Sequence, residues 1–363
     1  MRSRLRSVVV APRNLALGVA AVAIIAVVAP VHVAMAEAVC DDDPELAEAA
    51  AELVLSGEPL TPARLREAVR AAGNDAVLVH GVRLHDDVAR REREWLQTTM
   101  AERTVPFACG RAVGAGVAVV LAAERPGRLE RDPTHDLRFR VVLAKGFSHP
   151  ELVVRGASGE FVRVSVPRSG AWVTVPDDVD PPFVVQLVGE DSTGPRPLAE
   201  RNVGEPHAFV AATERGGSAD ASDDAPRVED NRAGVMTWLA KTRGEEGLRG
   251  VRPNQLLDAV ARKHAEEVCR AKRAAHRLED GDPEARLRAA GIEARSVGEA
   301  VARAGSVQAA LVSLAASPSH AAALLDPRFT DVGAGVALDG GTRCVTVLLA
   351  AWPRAIPRSP SKP

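Results

Sequence analysis

The 363-residue chain has no tyrosine, and its 7 Phe and 4 Trp make aromatic residues only 3% of the total. A recognition surface built on aromatic platforms is therefore not expected. Charge of one sign is lacking as well: 46 Lys and Arg stand against 48 Asp and Glu, for a net charge of −2. No basic field is present to hold a polyanion, so nucleic acid is not an expected partner. What is abundant is ordinary. Hydrophobic residues at 46% and charged ones at 26% are the proportions of a globular chain rather than of a disordered or multi-spanning one, and Val, Leu and Ala must build its cores. At about 150 residues per domain, the length implies two or three domains.

The first stretch belongs to none of them. Arg2, Arg4, Arg6 and Arg13 precede an uncharged run from Leu15 to Ala36, and Ala34-Met35-Ala36 ends it with a small-x-small site. This is the order of a signal peptide, so residues 1–36 are expected to be removed by cleavage after Ala36, leaving a secreted or periplasmic protein. The alternative is an uncleaved N-terminal anchor, since the run is long enough to span a bilayer, and membrane contact is expected only in that case. Pro30 and His32 spoil the end of such a span.

Cys40, Cys109, Cys269 and Cys344 are the four cysteines. In an exported chain an even number is expected to form disulfides. Four cysteines allow three connectivities and the sequence does not choose among them; pairing within each half would give Cys40 with Cys109 and Cys269 with Cys344.

Residues 37–126 read as a mostly helical region with one strand segment. Thr61 as N-cap, Pro62 behind it and Gly73 at the stop mark one helix, a second is expected from Asp86 to Met100, and a strand from Val113 to Ala122. In residues 127–202 the apolar period becomes two, through Leu137, Phe139, Val141 and Leu143, then Val162, Val164 and Val166, then Ala171, Val173 and Val175, then Phe183, Val185 and Leu187. Short runs between Gly, Pro, Ser and Asp turns predict a small β-sandwich, expected to serve as a spacer or adhesive module. Residues 203–230 are polar enough to be a flexible linker and 355–363 a disordered tail. The hexapeptide Val113 to Ala118 recurs identically at Val332 to Ala337, a coincidence expected in a chain this rich in Ala and Val.

The chemistry gathers in residues 231–354. One helix includes Val235 to Lys241. A second is expected from near Pro253 to about Ala275, with Leu257, Val260, His264, Val268, Ala271 and Ala275 on one face. His264 in that apolar stripe reads as a packed, hydrogen-bonded core residue rather than a ligand. Beyond come His276, a turn at Asp280-Gly281-Asp282-Pro283 with a short helix, the segment "VGEA", a helix through Val307, Ala310, Leu311 and Leu314, and "SPSH" ending in His320. Two strands, Val332 to Leu338 and Cys344 to Ala350, close on a Gly340-Gly341 turn.

The succession "NQLLDAVARKHAEEV", His276, "EDGDPEARLRAAG", "VGEA", "SPSH" and "AAALLDPRFTDVGAGVAL" resembles the CAP superfamily, also called SCP-like, in its short bacterial form. The expected fold class is thus multidomain α+β: a small N-terminal α/β region, a middle β-sandwich and a C-terminal CAP-like α-β-α sandwich. The resemblance implies a central antiparallel sheet and an open cleft faced by His276, Glu299 and His320. Two imidazoles and a carboxylate can hold a divalent ion, zinc or magnesium, with His276 and His320 as metal ligands. Without metal the same trio could transfer protons. The sequence departs from the family pattern at Arg277, Ala300 and Leu314, and no Asp or Glu lies between Glu299 and His320 to supply a second cleft carboxylate.

No Gly-x-Ser-x-Gly elbow, Cys-x-x-Cys pair, phosphate loop or calcium loop occurs, and no catalytic residue is assigned. His80, His85, His135, His149 and His207 are expected at the surface, in turns or linkers. The resulting expectation is a secreted or cell-envelope protein that binds a small-molecule, lipid, sterol-like or cell-wall ligand in its cleft without catalysis. The alternatives are a metal-dependent hydrolase using His276, Glu299 and His320, and a purely structural envelope module.

Overall fold

In a computed structural model, residues 40–101, 103–204 and 228–352 are described. The expected signal segment 1–36, His207, most of the expected linker and the expected tail 355–363 lie outside them. The described chain is mixed α/β, with a CAP-like C-terminal region. Among the described residues no single helix is long and apolar enough to cross a membrane.

The first region opens with β1 (Asp41–Asp42) and α1 (Pro44–Ser56), where Asp43 caps the helix by accepting from Leu46 N at 2.9 Å. Then follow α2 (Pro62–Ala71), capped by Thr61, β2 (Val79–Leu84), α3 (Val88–Met100), β3 (Phe107–Gly114) and β4 (Val117–Glu124). The sheet order is β1-β3-β4-β2, and Leu46, Leu53 and Val69 of the helices pack on Val119 and Leu121. The single strand expected from Val113 to Ala122 is instead a hairpin. Ala115 and Gly116 take φ of 50° and 77°, the left-handed pair that a two-residue turn between twisted strands requires. The second copy of the hexapeptide runs straight through one strand, so the two copies share residues and not conformation.

The middle module holds two sheets, β5-β6-β9 and β11-β10-β7-β8. The strands are β5 (Gly127–Asp132), β6 (His135–Leu143), β7 (Ser148–Gly156), β8 (Phe161–Ser165), β9 (Trp172–Thr174), β10 (Phe183–Asp191) and β11 (Gly194–Val203). Leu129, Phe139, Val141, Leu152, Val154, Phe183, Val185 and Leu187 close one core between the sheets. Sequence periodicity missed β5, β7 and β11. In β11, Pro195 and Pro197 interrupt the pattern, which is tolerated because the strand is at the sheet edge.

The C-terminal region comprises α4 (Arg232–Glu245), β12 (Arg252–Pro253), α5 (Gln255–Arg270), α6 (Pro283–Ala289), β13 (Ser296–Ala304), α7 (Val307–Ala316), α8 (Pro318–Leu324), β14 (Asp331–Asp339) and β15 (Thr342–Ala351). Asn231, Asn254, Asp282 and Ser306 each cap the helix that follows. The sheet order is β12-β14-β15-β13. Alternate residues of β15 serve two cores: Val345, Val347 and Leu349 pack with Leu239 of α4, Leu311 of α7 and Leu324 of α8, while Leu348 and Ala350 pack with Leu257 of α5 and Leu287 of α6. Helix α5 lies so close to β14 that a methyl at Gly333 or Gly335 would run into the backbone of Leu257 or Ala261.

Helix α5 is shorter than its apolar stripe predicts. It stops at Arg270, Lys272 turns left-handed at φ 50°, and Ala271 is exposed, because the amides of Lys272 and Arg273 turn back onto the carbonyls of Cys269 and Val268. Both intra-half disulfides are formed: Cys40 to Cys109 joins the residue before β1 to β3, and Cys269 to Cys344 ties the last turn of α5 to β15, each with Cα atoms 5.6 Å apart.

Candidate functional site

Three elements converge at the β13 edge of the C-terminal sheet. Glu299 on β13 pairs across the ladder with Leu348, which puts its side chain on the α5/α6 face. His276 comes from the segment after α5, and His320 from α8. The His276 Nδ1 lies 2.9 Å from Glu299 Oε1, and the His276 and His320 ring centroids are 6.3 Å apart. The structure therefore brings together all three residues singled out from the sequence.

Glu299 is nearly inaccessible, with 2% of its side chain exposed, and its second oxygen is bound by the Arg286 guanidinium from α6. Arg286 is itself 5% exposed and also donates to the carbonyls of His276, at 3.0 Å, and Gly281, at 2.6 Å. Burial pushes the Glu299 carboxyl up. The hydrogen bond from His276 and the charges of His276, Arg286 and His264 outweigh it and hold the group below the usual carboxylate range. In the neutral form of His276 the carboxylate holds the ring proton on Nδ1 and leaves Nε2 as an acceptor, whereas in the charged form both nitrogens donate.

His264 is fully buried, between Asp280 Oδ2 at 2.8 Å and the Ala275 carbonyl at 3.0 Å. It is the packed, hydrogen-bonded residue expected from the apolar stripe. The short α5 makes this possible, because only a chain that turns back after Arg270 can bring Ala275 to the His264 ring.

His320 is partly buried, and its Nδ1 is 2.8 Å from Ser317 Oγ. Desolvation, reinforced by the His276 charge, pushes it down to about 3, so the ring is neutral near pH 7. Ser317 and Ser319 in turn meet Gln186 of β10: the Ser319 amide donates to Gln186 Oε1 at 2.9 Å, and Gln186 Nε2 donates to Ser317 Oγ at 3.1 Å.

Whether these residues suit a metal is decided by Glu299. Both its oxygens are engaged, one by an imidazole and one by a guanidinium that would repel a cation. Among the described residues no group of three or more His, Cys, Asp or Glu is disposed to hold an ion. The donor set expected for zinc or magnesium is thus short of its carboxylate, and no chemical step is built on a metal.

The other histidines divide. His85, His135 and His149 are exposed as expected, although His135 opens β6 and His149 lies in β7 rather than in turns or linkers. His80 is not in a turn but in β2, opposite Ala122, where burial lowers its pKa and its Nε2 has no hydrogen-bond partner among the described residues. Sequence reasoning missed Arg286, Asp280 and Gln186. The first two sit inside the quoted "EDGDPEARLRAAG" segment, and Gln186 is the one polar side chain in the apolar run of β10, but neither position says what the side chain touches.

Residues 238–349 match the family model described as the Cysteine-rich secretory protein family, CAP. The C-terminal region carries a CAP domain. No curated protein matches the chain. Among solved structures, similarity is found to an outer surface protein from Borrelia burgdorferi, at 17% identity and TM-score 0.33 over 35% of this chain and 97% of that one. An extracellular protein containing a SCP domain from Bacillus anthracis is also 17% identical, with TM-score 0.31 over 57% of this chain and 68% of that one. A cysteine-rich secretory protein from Staphylococcus aureus is 14% identical, with TM-score 0.28 over 71% of this chain and 91% of that one.

Proposed function

We propose that this CAP-domain protein is secreted or held in the cell envelope and binds a small or extended ligand, of lipid, sterol-like or cell-wall origin, between His276 and His320 without catalysing a reaction. The C-terminal layout is an α-β-α sandwich, with α4, α7 and α8 on one face of the sheet and α5 and α6 on the other. The names of the similar proteins, an outer surface protein and an extracellular one, accord with export.

One observation carries the binding reading. Glu299 is committed to Arg286 and His276, so it orients an imidazole instead of acting on a substrate. A buried carboxylate held ionised by a guanidinium is poorly suited to donate a proton, and one with both oxygens engaged is poorly suited to activate water. What the trio offers a ligand is the free edges of two imidazoles. No observation favours the hydrolase.

The test is a binding screen of the mature protein against phosphatidylcholine vesicles with and without sterol and against sedimented peptidoglycan, run beside His276→Ala and His320→Ala. Saturable binding to one class that is lost in both variants supports the proposal. Binding that survives both moves the site elsewhere in the molecule.

A further inference from the structure

The middle module is more than a spacer for the CAP domain. In a sheet with one solvated face, buried and exposed residues alternate. In β10 they do not: every residue from Phe183 to Gly189 is buried. Phe183, Val185 and Leu187 fill the module core, so the opposite face, Val184, Gln186 and Val188, is covered by something else.

Over Gln186 and at the β10–β11 turn the cover is the CAP domain at its His cluster. The Arg277 amide donates to the Thr193 carbonyl at 2.9 Å, and Arg277 pairs with Glu190 at 3.4 Å. Gly194, at φ 99°, sits so close that a methyl there would stand 3.1 Å from His276 Cβ. Arg155 of β7 donates to the Ala315 carbonyl at 3.2 Å. The turn between β10 and β11 thus roofs His276, and the open cleft implied by the family resemblance is covered on this side.

Gln186 does something more specific. An amide N–H must meet an oxygen, so the bond from Ser319 N identifies Oε1. A carboxylate only accepts, so Glu200 Oε2, 2.7 Å away, identifies the amide nitrogen. That nitrogen also donates to Ser317 Oγ at 3.1 Å. The Ser317 hydroxyl proton is assigned to its nearest partner, His320 Nδ1 at 2.8 Å, over Gln186 Oε1 at 3.3 Å and Ser319 Oγ at 3.5 Å; the reverse direction, with His320 Nδ1–H donating to Ser317 Oγ, is what proton–nitrogen spectroscopy would detect. Glu200 is anchored from the first region by Arg70. The two ends fix the directions at Gln186, and the short contact is the ground for the direction at His320.

We propose that Gln186 of the middle module is a positioning residue of the CAP ligand site: acting through Ser317, it holds His320 as the Nε2–H tautomer, its ring centroid 6.3 Å from that of His276, whose Nε2 accepts in the neutral form, a donor and acceptor pair matched to a hydroxyl group. The proposal rests on the reading of these two histidines as the ligand site. It assigns the ligand class as an alcohol, such as a sterol or sugar hydroxyl, because only a group that both donates and accepts satisfies the pair.

The experiment is two-bond proton–nitrogen correlation spectroscopy of the ¹⁵N-histidine-labelled protein without ligand, for the parent, Ser317→Ala and the near-isosteric Gln186→Met. In the parent, His320 is expected with unprotonated Nδ1 and protonated Nε2, and the neutral form of His276 with the opposite pattern. In Gln186→Met and Ser317→Ala the two His320 nitrogen resonances are expected to move toward one another, while those of His276 stay in place. A parent His320 in the Nδ1–H form overturns the proposal whether or not the variants fold, and so does a Gln186→Met spectrum in which His320 is unmoved. Because no ligand is present, these outcomes are independent of whether a ligand is later found to bind.

Discussion

Replacing Arg286 by Met removes the guanidinium that binds Glu299 while keeping an unbranched buried stem. The side chains of the pair are 5% and 2% exposed, so water cannot take the place of the lost charge. Breaking one partner of a buried pair costs about 3–5 kcal/mol, because the remaining charge is left uncompensated. Two further acceptors, the carbonyls of His276 and Gly281, lose their donor, and each adds about 1–3 kcal/mol to the extent that it stays dry. The expected destabilisation is therefore about 5 kcal/mol, read as a lower urea midpoint by circular dichroism and as a fall in Tm on the order of 10 °C for a chain of this size. The double variant Arg286→Met/Glu299→Leu removes both charges, and recovery of most of the loss is expected. An Arg286→Met protein within about 1 kcal/mol of the parent would refute the claim that Glu299 is held ionised and buried by this contact.

Three other outcomes follow from the same geometry. His320 is lowered to about 3 from an ordinary 6.5, so between those values the unfolded chain binds more protons than the folded one, and stability must fall as pH drops through that window. The slope from this residue is at most about 1.4 kcal/mol per pH unit, and urea titrations at pH 7, 5.5 and 4.5 should show it reduced in His320→Gln. Glu299 adds in the same sense, since its lowered pKa gives stability that is lost only as pH falls through the folded value. The Cys269 to Cys344 bond closes a separation of 75 residues, for which the chain-entropy relation gives about 4 kcal/mol, so Cys269→Ser/Cys344→Ser should lose stability of that order in the same assay. Calorimetric titration with zinc or magnesium should give no saturable site that depends on Glu299; a 1:1 site abolished by Glu299→Gln would restore the metal reading.

The CAP region was legible in the sequence because its helices announce themselves through side chains that act locally. Asn254, Asp282 and Ser306 cap from their own positions, and Gly340-Gly341 makes a turn whatever surrounds it. The end of α5 was not legible, because Ala271 and Ala275 continue the apolar spacing and only the chain reversal at Lys272 interrupts the helix. The Val113 to Ala122 hairpin was hidden for a related reason: its turn uses Ala115 at positive φ, where Asn or Gly would have signalled it. Within the site, His276, Glu299 and His320 came from the family resemblance. Arg286 and Gln186 required three dimensions, since one lies on a different helix and the other in a different module, and their importance is in what they touch.

The most direct test of the central claim is isothermal titration of the mature protein with sterol-containing phosphatidylcholine vesicles and with soluble peptidoglycan fragments, beside the His276→Ala/His320→Ala double variant. The account predicts saturable binding of one of these hydroxyl-bearing probes by the parent and its loss in the double variant, with the folded state retained. Equal binding by parent and double variant would contradict it, and would place the ligand away from the two imidazoles.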